Sequence, residues 1–353
     1  MLNQLRLNNH YKTCFIIGLM VILFSCFLIA ISVGSMPIDF GHILTHFNPL
    51  SNQDTPEQIA LVLDKIRLPR TILAILVGAT LAACGTITQG LFRNPLADPS
   101  LIGVSAGASI GATFMIIIGS HWFNDNSVIY ANLGFSVVSI GAFLTALITV
   151  FLVYKLSTSE RGTSVATMLL AGIAITALAG SFTSLLQYIS DDQSLRRVSL
   201  WQMGGLDGAN FSQVILMTLV FVVISFGFMR KAQALNSLLL GESEARHLGI
   251  PVQRVKLQLI TLVAAGVGIA VSISGGIGFI GLIVPHIMRL LIGPNHRFLI
   301  PATLVAGALL LLLADTLART IISPAEIPVG IITAILGAPF FISLLNNQRK
   351  IGL

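Results

Sequence analysis

Histidines and cysteines are the residues of this sequence that could bind a metal, and their spacing gives little support for a metal site. His42 and His46 lie four positions apart, which would place both rings on one face of a helix. A zinc site needs further ligands, and no glutamate or third ligand accompanies this pair. Cys14, Cys26 and Cys84 lie in apolar segments without CxxC spacing. We expect no metal site, with the cysteines serving as packing residues.

The segment GIGFIG, residues 276–281, satisfies the GxGxxG pattern of dinucleotide sites. That pattern has this meaning only between a strand and a helix, with an acidic residue about 20 positions later. The next acidic residue is Asp315, and apolar sequence surrounds the glycines. A helix break inside a membrane is the better interpretation. No GxxxxGK[ST] sequence occurs, so we expect no ATP-binding loop in this chain.

Three ionisable residues lie within or beside apolar runs. His286 follows Pro285 in VPHIMR; it could be functional, because ionisable groups are costly there, but a neutral ring bonded to the backbone is the favoured alternative. Asp315 and Arg319 are one helical turn apart and can pair with each other. The apolar runs otherwise lack carboxylates, which disfavours coupling to protons or sodium.

The most charged segment is GESEARHLGIPVQR, residues 241–254. Asn236 or Ser237 could cap a first short helix ending at Gly241, and Ser243 could cap a second one ending at Gly249. Glu242 and Arg246 have the spacing of an ion pair on a helix. A solvated loop is the alternative, but two capped helices between apolar runs favour a docking surface on the cytoplasmic face.

The elements that must position these residues are membrane-spanning helices. Hydrophobic residues make up 55% of the 353 residues, charged residues 10%, and the mean hydropathy is +0.90. Repeated apolar runs of about 20 residues match the roughly 30 Å hydrocarbon layer. A 36-residue stretch from Leu257 to Ile292 is too long for one span, so we expect a break at Gly275 and Gly276. The other runs are 14–33, 71–92, 101–119, 131–154, 165–188, 211–230, 299–317 and 328–345. We therefore predict an all-α polytopic membrane protein with about ten transmembrane helices.

The distribution of lysine and arginine predicts the orientation. With the N-terminus inside, all but six of the 20 basic residues fall on the cytoplasmic side, as the positive-inside rule requires. We therefore expect both termini in the cytoplasm, and a net charge of +6 that reflects topology and not nucleic-acid binding. The six outer residues are Lys65, Arg67, Arg70, Arg196, Arg197 and Arg319.

Residues 76–90 and 262–276 suggest an internal repeat. LVGATLAACGTITQG and LVAAGVGIAVSISGG match at five of 15 positions and share a stripe of small residues. Five spans separate their starting points, so the two copies would run in opposite directions. Such inverted repeats are common in transporters.

Five segments resemble the FecCD-type permeases, which are membrane subunits of binding-protein-dependent ABC importers for ferric siderophores, haem and cobalamin. They are residues 67–112 (containing RNPLADPSLIGVSAGAS), LWQMGGL at 200–206, LNSLLLGESEARHLGI at 235–250, GIGFIGLIVPHIMRLLIGPNHR at 276–297 and AEIPVGIITAILGAPFFISLL at 325–345. The resemblance runs from about residue 60 to the C-terminus. It implies the type II ABC importer permease fold, with residues 1–353 forming a single transmembrane permease domain in the inner membrane.

The resemblance also implies partners and contact residues. The permease would form a homodimer with two ATP-binding subunits and a periplasmic substrate-binding protein. Segment 235–250 would be the cytoplasmic coupling segment, with Gly241 at its elbow and with Glu242, Ala245 and Arg246 at the ATPase. Arg67, Arg70 and Arg319 would bind acidic residues of the binding protein; the alternative is a local partner such as Asp64 or Asp315. Asn94 and Leu96 would belong to a cytoplasmic gate, whereas Gly162–Ser164 departs from the family pattern.

The expected function is import driven by ATP hydrolysis in separate subunits. This subunit would perform no covalent chemistry and hold no cofactor, since ATP and magnesium would bind to the partner ATPase. The stretch GLFRNPLADPSLIGVSAGAS resembles haem permeases first, then ferric siderophore permeases and cobalamin permeases. A secondary transporter without ATPases is the alternative from a different class. A membrane enzyme would need an acid, base or metal constellation that the sequence lacks.

Overall fold

The computed structural model describes residues 9–34, 36–48, 56–119, 137–160 and 162–350, and these residues are almost entirely helical. The helices are α1 (Asn9–Ser32), α2 (Phe40–Phe47), α3 (Glu57–Leu61), α4 (Leu68–Phe92), α5 (Val104–Phe114), α6 (Val137–Ser157), α7 (Val165–Tyr188), α8 (Asp192–Met203), α9 (Phe211–Leu238), α10 (Glu242–His247), α11 (Val252–Ser274), α12 (Ile280–Ile292), α13 (His296–Thr320) and α14 (Val329–Lys350). Two π-helical segments (Val62–Arg67 and Met115–Gly119), a 3-10 turn (Pro99–Ile102) and a two-stranded hairpin of β1 (Thr158–Ser159) and β2 (Gly162–Thr163) complete these elements.

The predicted set of about ten spans is confirmed. Within the described part of the chain, seven helices are long and apolar enough to cross a membrane, and three shorter apolar helices accompany them. The long set is α1, the continuous helix formed by α3 and α4, and α6, α7, α9, α11 and α13; the shorter set is α5 with its π-helical end, α12 and α14. Residues 131–136 of one predicted run, and Arg6 and Arg161 of the predicted cytoplasmic set, lie outside the described residues.

The break predicted at Gly275 and Gly276 is also confirmed. Helix α11 ends at Ser274 and α12 begins at Ile280. Gly275 has a φ of 67° and Phe279 a φ of 69°, which are left-handed values that end one helix and start the next. The GIGFIG segment is therefore the connection between two helices, as the apolar context predicted.

Helix α4 lies at the centre of the molecule, and all but three of its residues are buried. It packs against α9, α11, α12 and α13. At its closest approach to α12, a Cβ added at Gly85 would overlap the backbone of Gly281. The stripe of small residues seen in the sequence therefore lets neighbouring backbones approach each other.

The contact pattern repeats between the two halves of the fold. Helix α4 packs on α12 and α13, and α11 packs correspondingly on α5 and α6. Helices α5 and α6 pack together, as do α12 and α13. Because α4 is the second span and α11 the seventh, an odd number of crossings separates them. The predicted inverted repeat thus appears in the packing as well as in the sequence.

Candidate functional site

A cluster of charged residues joins α4 to α13 beneath the end predicted to face outward. Asp315 is fully buried, and its Oδ1 accepts a hydrogen bond from Arg70 Nε at 2.9 Å. Arg319 Nε lies 3.2 Å from Asp315 Oδ2, close enough for an ion pair although the angles do not make a hydrogen bond. Arg70 Nη1 donates to Glu326 Oε2 at 2.6 Å. The buried Asp315 carboxylate therefore pairs with both arginines, and the partly exposed Glu326 carboxylate pairs with Arg70 as well.

Arg67 anchors the end of α1. Its Nη1 donates to the carbonyl oxygens of Ile31 at 2.6 Å and Ser32 at 2.7 Å, and its Nη2 contacts the carbonyl of Met36. Arg319 supports the same turn by donating to Ala30 O at 3.1 Å. These bonds satisfy carbonyls that the helix end leaves without intrahelical partners. Asp64, considered above as a local partner for an arginine, contacts His46 Nε2 at 3.0 Å instead.

The three arginines predicted to dock a binding protein therefore meet in one region, but they are not free. Each is only 4% exposed in the isolated chain. Local partners, the alternative raised from the sequence, are present for Arg70 and Arg319 in Asp315. Docking through these residues stays a prediction, and it requires an acidic partner to reach guanidinium groups that are already bonded.

The charged segment at 241–254 contains one short helix, and the expected pair of short helices is wrong. Helix α9 continues without a break to Leu238, and the Asn236 side chain binds the side chain of Asn295 and the backbone N–H of His296 instead of capping a helix. Helix α10 starts after Gly241, whose φ of 123° suits glycine, and no side chain caps it, so the predicted cap at Ser243 is also wrong. The elbow predicted at Gly241 is where the chain turns.

The surface of α10 is charged and flanked by leucines. Leu240 is 69% exposed and Leu248 is 63% exposed, and Glu244, Arg246 and His247 are exposed between them. Ala245, expected at the ATPase contact, is fully buried because it faces the permease core. In the isolated chain its side chain is not available to a partner.

Sequence reasoning missed the main partner of Glu242. The predicted pair with Arg246 exists at 3.8 Å, but Lys256 Nζ is much closer to Glu242, at 2.5 Å. Lys256 is 2% exposed and also donates to the carbonyl of Thr163 at 3.0 Å. In the sequence, Lys256 follows Arg254 by two positions at the start of an apolar run, and nothing in that pattern indicates a contact with Thr163. We call the α10 turn from Leu240 to Gly249 the elbow from here on.

The predicted gate residues lie directly after α4. Arg93 ends the helix in a left-handed conformation with a φ of 49°. The Asn94 side chain accepts a hydrogen bond from the backbone N–H of Leu96 at 2.9 Å, and its carbonyl accepts one from Ala97 at 3.1 Å. Asn94 is exposed and Leu96 half-buried. The turn is well defined, and its role as a gate stays a prediction.

Two of the recognised segments and the end of α11 meet through backbone hydrogen bonds. Gly205 N–H donates to Ser274 O at 2.9 Å, and Gly330 N–H donates to Gly204 O at 3.4 Å. These bonds join the loop after α8, the end of α11 and the start of α14. A cavity of about 590 Å³ lies against this junction and reaches Arg70 and Glu326. A second cavity of about 590 Å³ lies on the other side of Trp201, between α5 and α7.

The described histidines do not lie in a cluster of possible metal ligands. Within the described residues there is no group of three or more His, Cys, Asp or Glu side chains that could hold a metal. The His286 ring lies edge-on to Phe340 with ring centres 6.2 Å apart, and its Nδ1 has no hydrogen-bond partner in the described part of the chain. The backbone bond expected for this ring is therefore not seen at Nδ1.

Comparison with known proteins places these features in a transporter family. The hemin transport system permease protein of Yersinia pestis is 42% identical over 344 residues, covering 98% of this chain and 99% of that protein. A cobalamin import system permease protein of Halobacterium salinarum is 42% identical over 298 residues, covering 83% and 76% of the two chains.

Solved structures agree with the sequence matches. A transporter described as of the metal-chelate ABC type, in an inward-facing conformation, superposes with a TM-score of 0.81 at 33% identity, covering 95% of this chain and 99% of that one. PsaBC from Streptococcus pneumoniae shares the fold at a TM-score of 0.54 and 18% identity, covering 77% and 88%. The protein is thus a multi-pass membrane permease of the ABC importer type. The model of the FecCD transport family matches residues 20–347, and the chain belongs to this family.

Proposed function

We propose that this chain is the membrane subunit of an ATP-driven importer for an iron chelate, with haem as the first candidate. Two copies of the chain form the pathway, two ATP-binding subunits drive it, and a periplasmic binding protein delivers the substrate. Residues 1–353 act as one transmembrane domain with both termini in the cytoplasm. ATP and magnesium bind to the partner subunits, so this chain needs no cofactor.

The exposed elbow is the observation that carries the proposal. Leu240 and Leu248 leave more than 60% of their surface open beside a charged helix. Exposed apolar side chains set among charges suit a protein partner better than water or lipid. The chain contains no GxxxxGK[ST] sequence, so nucleotide hydrolysis has to come from such a partner.

The charge of the outer cluster supports the binding-protein partner. Arg67, Arg70 and Arg319 carry three positive charges against the two carboxylates of Asp315 and Glu326, which leaves one positive charge in excess. Arginine binds carboxylates with two parallel hydrogen bonds, so a partner's aspartate or glutamate is the matching group. Docking on these arginines would bias the permease only through a difference in affinity between its two states.

The inner end completes the cycle. The elbow receives movement from the ATPase, with Gly241 as its pivot and with Glu242 and Arg246 near the contact. Asn94 and Leu96 close the pathway toward the cytoplasm in one state and open it in the other. Ala245 supports the elbow from the buried side.

Haem is placed first because the similarity to the Yersinia hemin permease extends over nearly all of both chains. Ferric siderophore and cobalamin remain alternatives, since a cobalamin permease has the same identity over a shorter length. The deciding experiment reconstitutes the permease with its ATPase and binding protein in proteoliposomes. Uptake of haem, a ferric siderophore and cobalamin is then measured with and without ATP.

We expect ATP-dependent haem uptake above that of the two other substrates. An ATPase subunit with its P-loop lysine replaced serves as the control and should abolish uptake. Faster transport of cobalamin or the siderophore would overturn the choice of haem. Uptake that continues without ATP and without the ATPase subunit would instead identify a secondary transporter.

A further inference from the structure

Lys256 is a buried charged residue that contacts two separate elements of the predicted cytoplasmic side. It lies near the start of α11 and is 2% exposed. Its ammonium group lies 2.5 Å from Glu242 Oε1 at the start of α10 and 3.0 Å from Thr163 O at the end of β2. Burying an ammonium group costs free energy unless it is paired and hydrogen-bonded, so these contacts hold it in place.

Gln253 binds the same residue of the hairpin one helical turn earlier. Its Oε1 accepts a hydrogen bond from the backbone N–H of Thr163 at 3.0 Å. Both backbone polar groups of Thr163 are therefore bound by side chains at positions i and i+3 of α11, which lie on one face of a helix. Thr163 itself is 6% exposed. We call Lys256 and Gln253 together the clasp.

The clasp connects two parts of the chain that the backbone does not join closely. The hairpin links α6 to α7, and Thr158 and Thr163 pair across it. The elbow links α9 to α11. Through Lys256, Glu242 at the elbow and Thr163 at the hairpin share one cation. A movement of α10 that carries Glu242 therefore also pulls on the group that holds the hairpin.

We propose that Lys256 and Gln253 are positioning residues that fasten the α6–α7 hairpin to the elbow, so that a displacement of α10 is transmitted to α6 and α7. This inference rests on the proposed function, in which a partner ATPase moves α10. It assigns a role to Gly162–Ser164, where the sequence departs from the family pattern. A network with two discrete arrangements, biased from one end, is the physical requirement for such transmission.

Lys256→Met removes both contacts of the ammonium group while keeping a side chain of similar length. Gln253→Ala is the milder variant, because it removes only the acceptor for Thr163 N–H and leaves the ion pair with Glu242 intact. The exchange Lys256→Glu with Glu242→Lys restores the ion pair but cannot donate to Thr163 O. Lys256→Arg can make both contacts. Arg254→Gln removes an exposed positive charge two positions from Lys256 and is the matched control.

The first readout is the distance between nitroxide labels on Glu160→Cys at the hairpin and His247→Cys on the elbow, both exposed positions. Cys14 and Cys26 are replaced beforehand, whereas Cys84 is buried and can stay. Labelled chains are diluted with unlabelled copies in nanodiscs, so that distances within one chain dominate. The second readout is the amount of substrate taken up per ATP hydrolysed in the reconstituted complex.

We expect a narrow distance distribution for the otherwise unchanged labelled chain, Lys256→Arg and Arg254→Gln, and a broadened or shifted one for Lys256→Met, Gln253→Ala and the exchanged pair. Uptake per ATP should fall on the order of fivefold or more in those three variants, because coupling between sites is typically of that size. The amount of co-purified ATPase should stay the same for Lys256→Met and Gln253→Ala, since neither variant changes a residue of α10.

Unaltered distances and unaltered uptake per ATP in Lys256→Met would overturn the proposal. If Lys256→Met does not fold, unaltered distances and unaltered uptake per ATP in Gln253→Ala and in the exchanged pair would overturn the proposal. The label distances need neither ATPase nor substrate. An unmutated complex without ATP-dependent uptake would therefore refute the proposed function while the distances still decide whether the clasp exists.

Discussion

Arg70 Nε and Asp315 Oδ1 lie 2.9 Å apart although 245 residues separate them in the chain. The bond crosses the interface between α4 and α13, where both side chains are almost completely buried. A buried ion pair contributes little net stability by itself, but removing one partner leaves an uncompensated charge. The stability of this end of the interface between α4 and α13 therefore depends most on the Asp315 carboxylate, which pairs with both Arg70 and Arg319.

Asp315→Asn should destabilise the permease strongly, because Arg70 and Arg319 both lose their buried counter-charge. The expected cost is about 3–5 kcal/mol, the range for breaking a buried pair from one side. Thermal unfolding of the purified protein in detergent measures it. Asp207→Asn removes an exposed carboxylate and should leave the unfolding temperature nearly unchanged. Equal unfolding temperatures for the two variants would contradict the assignment.

Arg67→Glu and Arg319→Glu should weaken the binding protein's affinity, because an acidic residue of the partner would meet a negative charge. We expect a loss of about tenfold or more at low salt that shrinks as salt is added. Affinity is measured by surface plasmon resonance on nanodiscs. Arg196→Glu reverses an exposed charge on α8, also predicted to lie outside. If this control loses as much affinity, the overall positive charge of the outer surface attracts the binding protein, and the three arginines have no specific role.

Arg246→Glu should reduce the amount of ATPase that co-purifies with the permease, and with it transport. Its side chain is 58% exposed and its contact with Glu242 is long, at 3.8 Å, so the fold should tolerate the change. Glu242 is a less specific probe, because it also holds Lys256. Lys155→Glu reverses an exposed charge at the end of α6 and should retain the ATPase. Undiminished co-purification with Arg246→Glu would rule out this part of the contact.

Gly85→Leu should prevent α4 and α12 from packing, since even a Cβ at this position overlaps the backbone of Gly281. Forcing larger groups into a packed interface costs about 1–3 kcal/mol or more. The yield of monodisperse protein on size-exclusion chromatography reports the damage. Gly18→Leu on α1 has open space around it and should express normally. Normal yield from Gly85→Leu would show that the two helices can separate without cost.

The spans, their number and the break at Gly275 could be predicted from the sequence, because apolar length and glycine position are local properties. The contacts of Arg70 with Glu326 and of Lys256 with Thr163 could not be predicted in this way. Each contact joins residues far apart in the chain, and no periodicity records which helices will be neighbours. The residues of the outer charged cluster are visible in the sequence only as single ionisable residues beside apolar runs, and nothing in the sequence shows that they lie together.

The elbow shows where sequence reasoning reached its limit. Its charge and its glycine at position 241 were visible, but the expected first short helix ignored the strong helix-forming continuation of α9 to Leu238. Family resemblance placed Ala245 at the partner contact. It is the one apolar residue within ESEARH, and that pattern favours the buried position found for it.

The ion pair between Glu326 and Arg70 affects how an acidic partner could bind to the outer cluster. This carboxylate already accepts a hydrogen bond from Arg70 Nη1, and 38% of its side chain remains exposed. An incoming acid from another protein would therefore substitute for a resident one, so the number of ion pairs at Arg70 would not increase. If the proposed binding protein docks at Arg70, such a one-for-one replacement would make the contact easy to reverse. It would also free the chain just before α14 from its ion pair with α4, so that docking would loosen the start of the last helix.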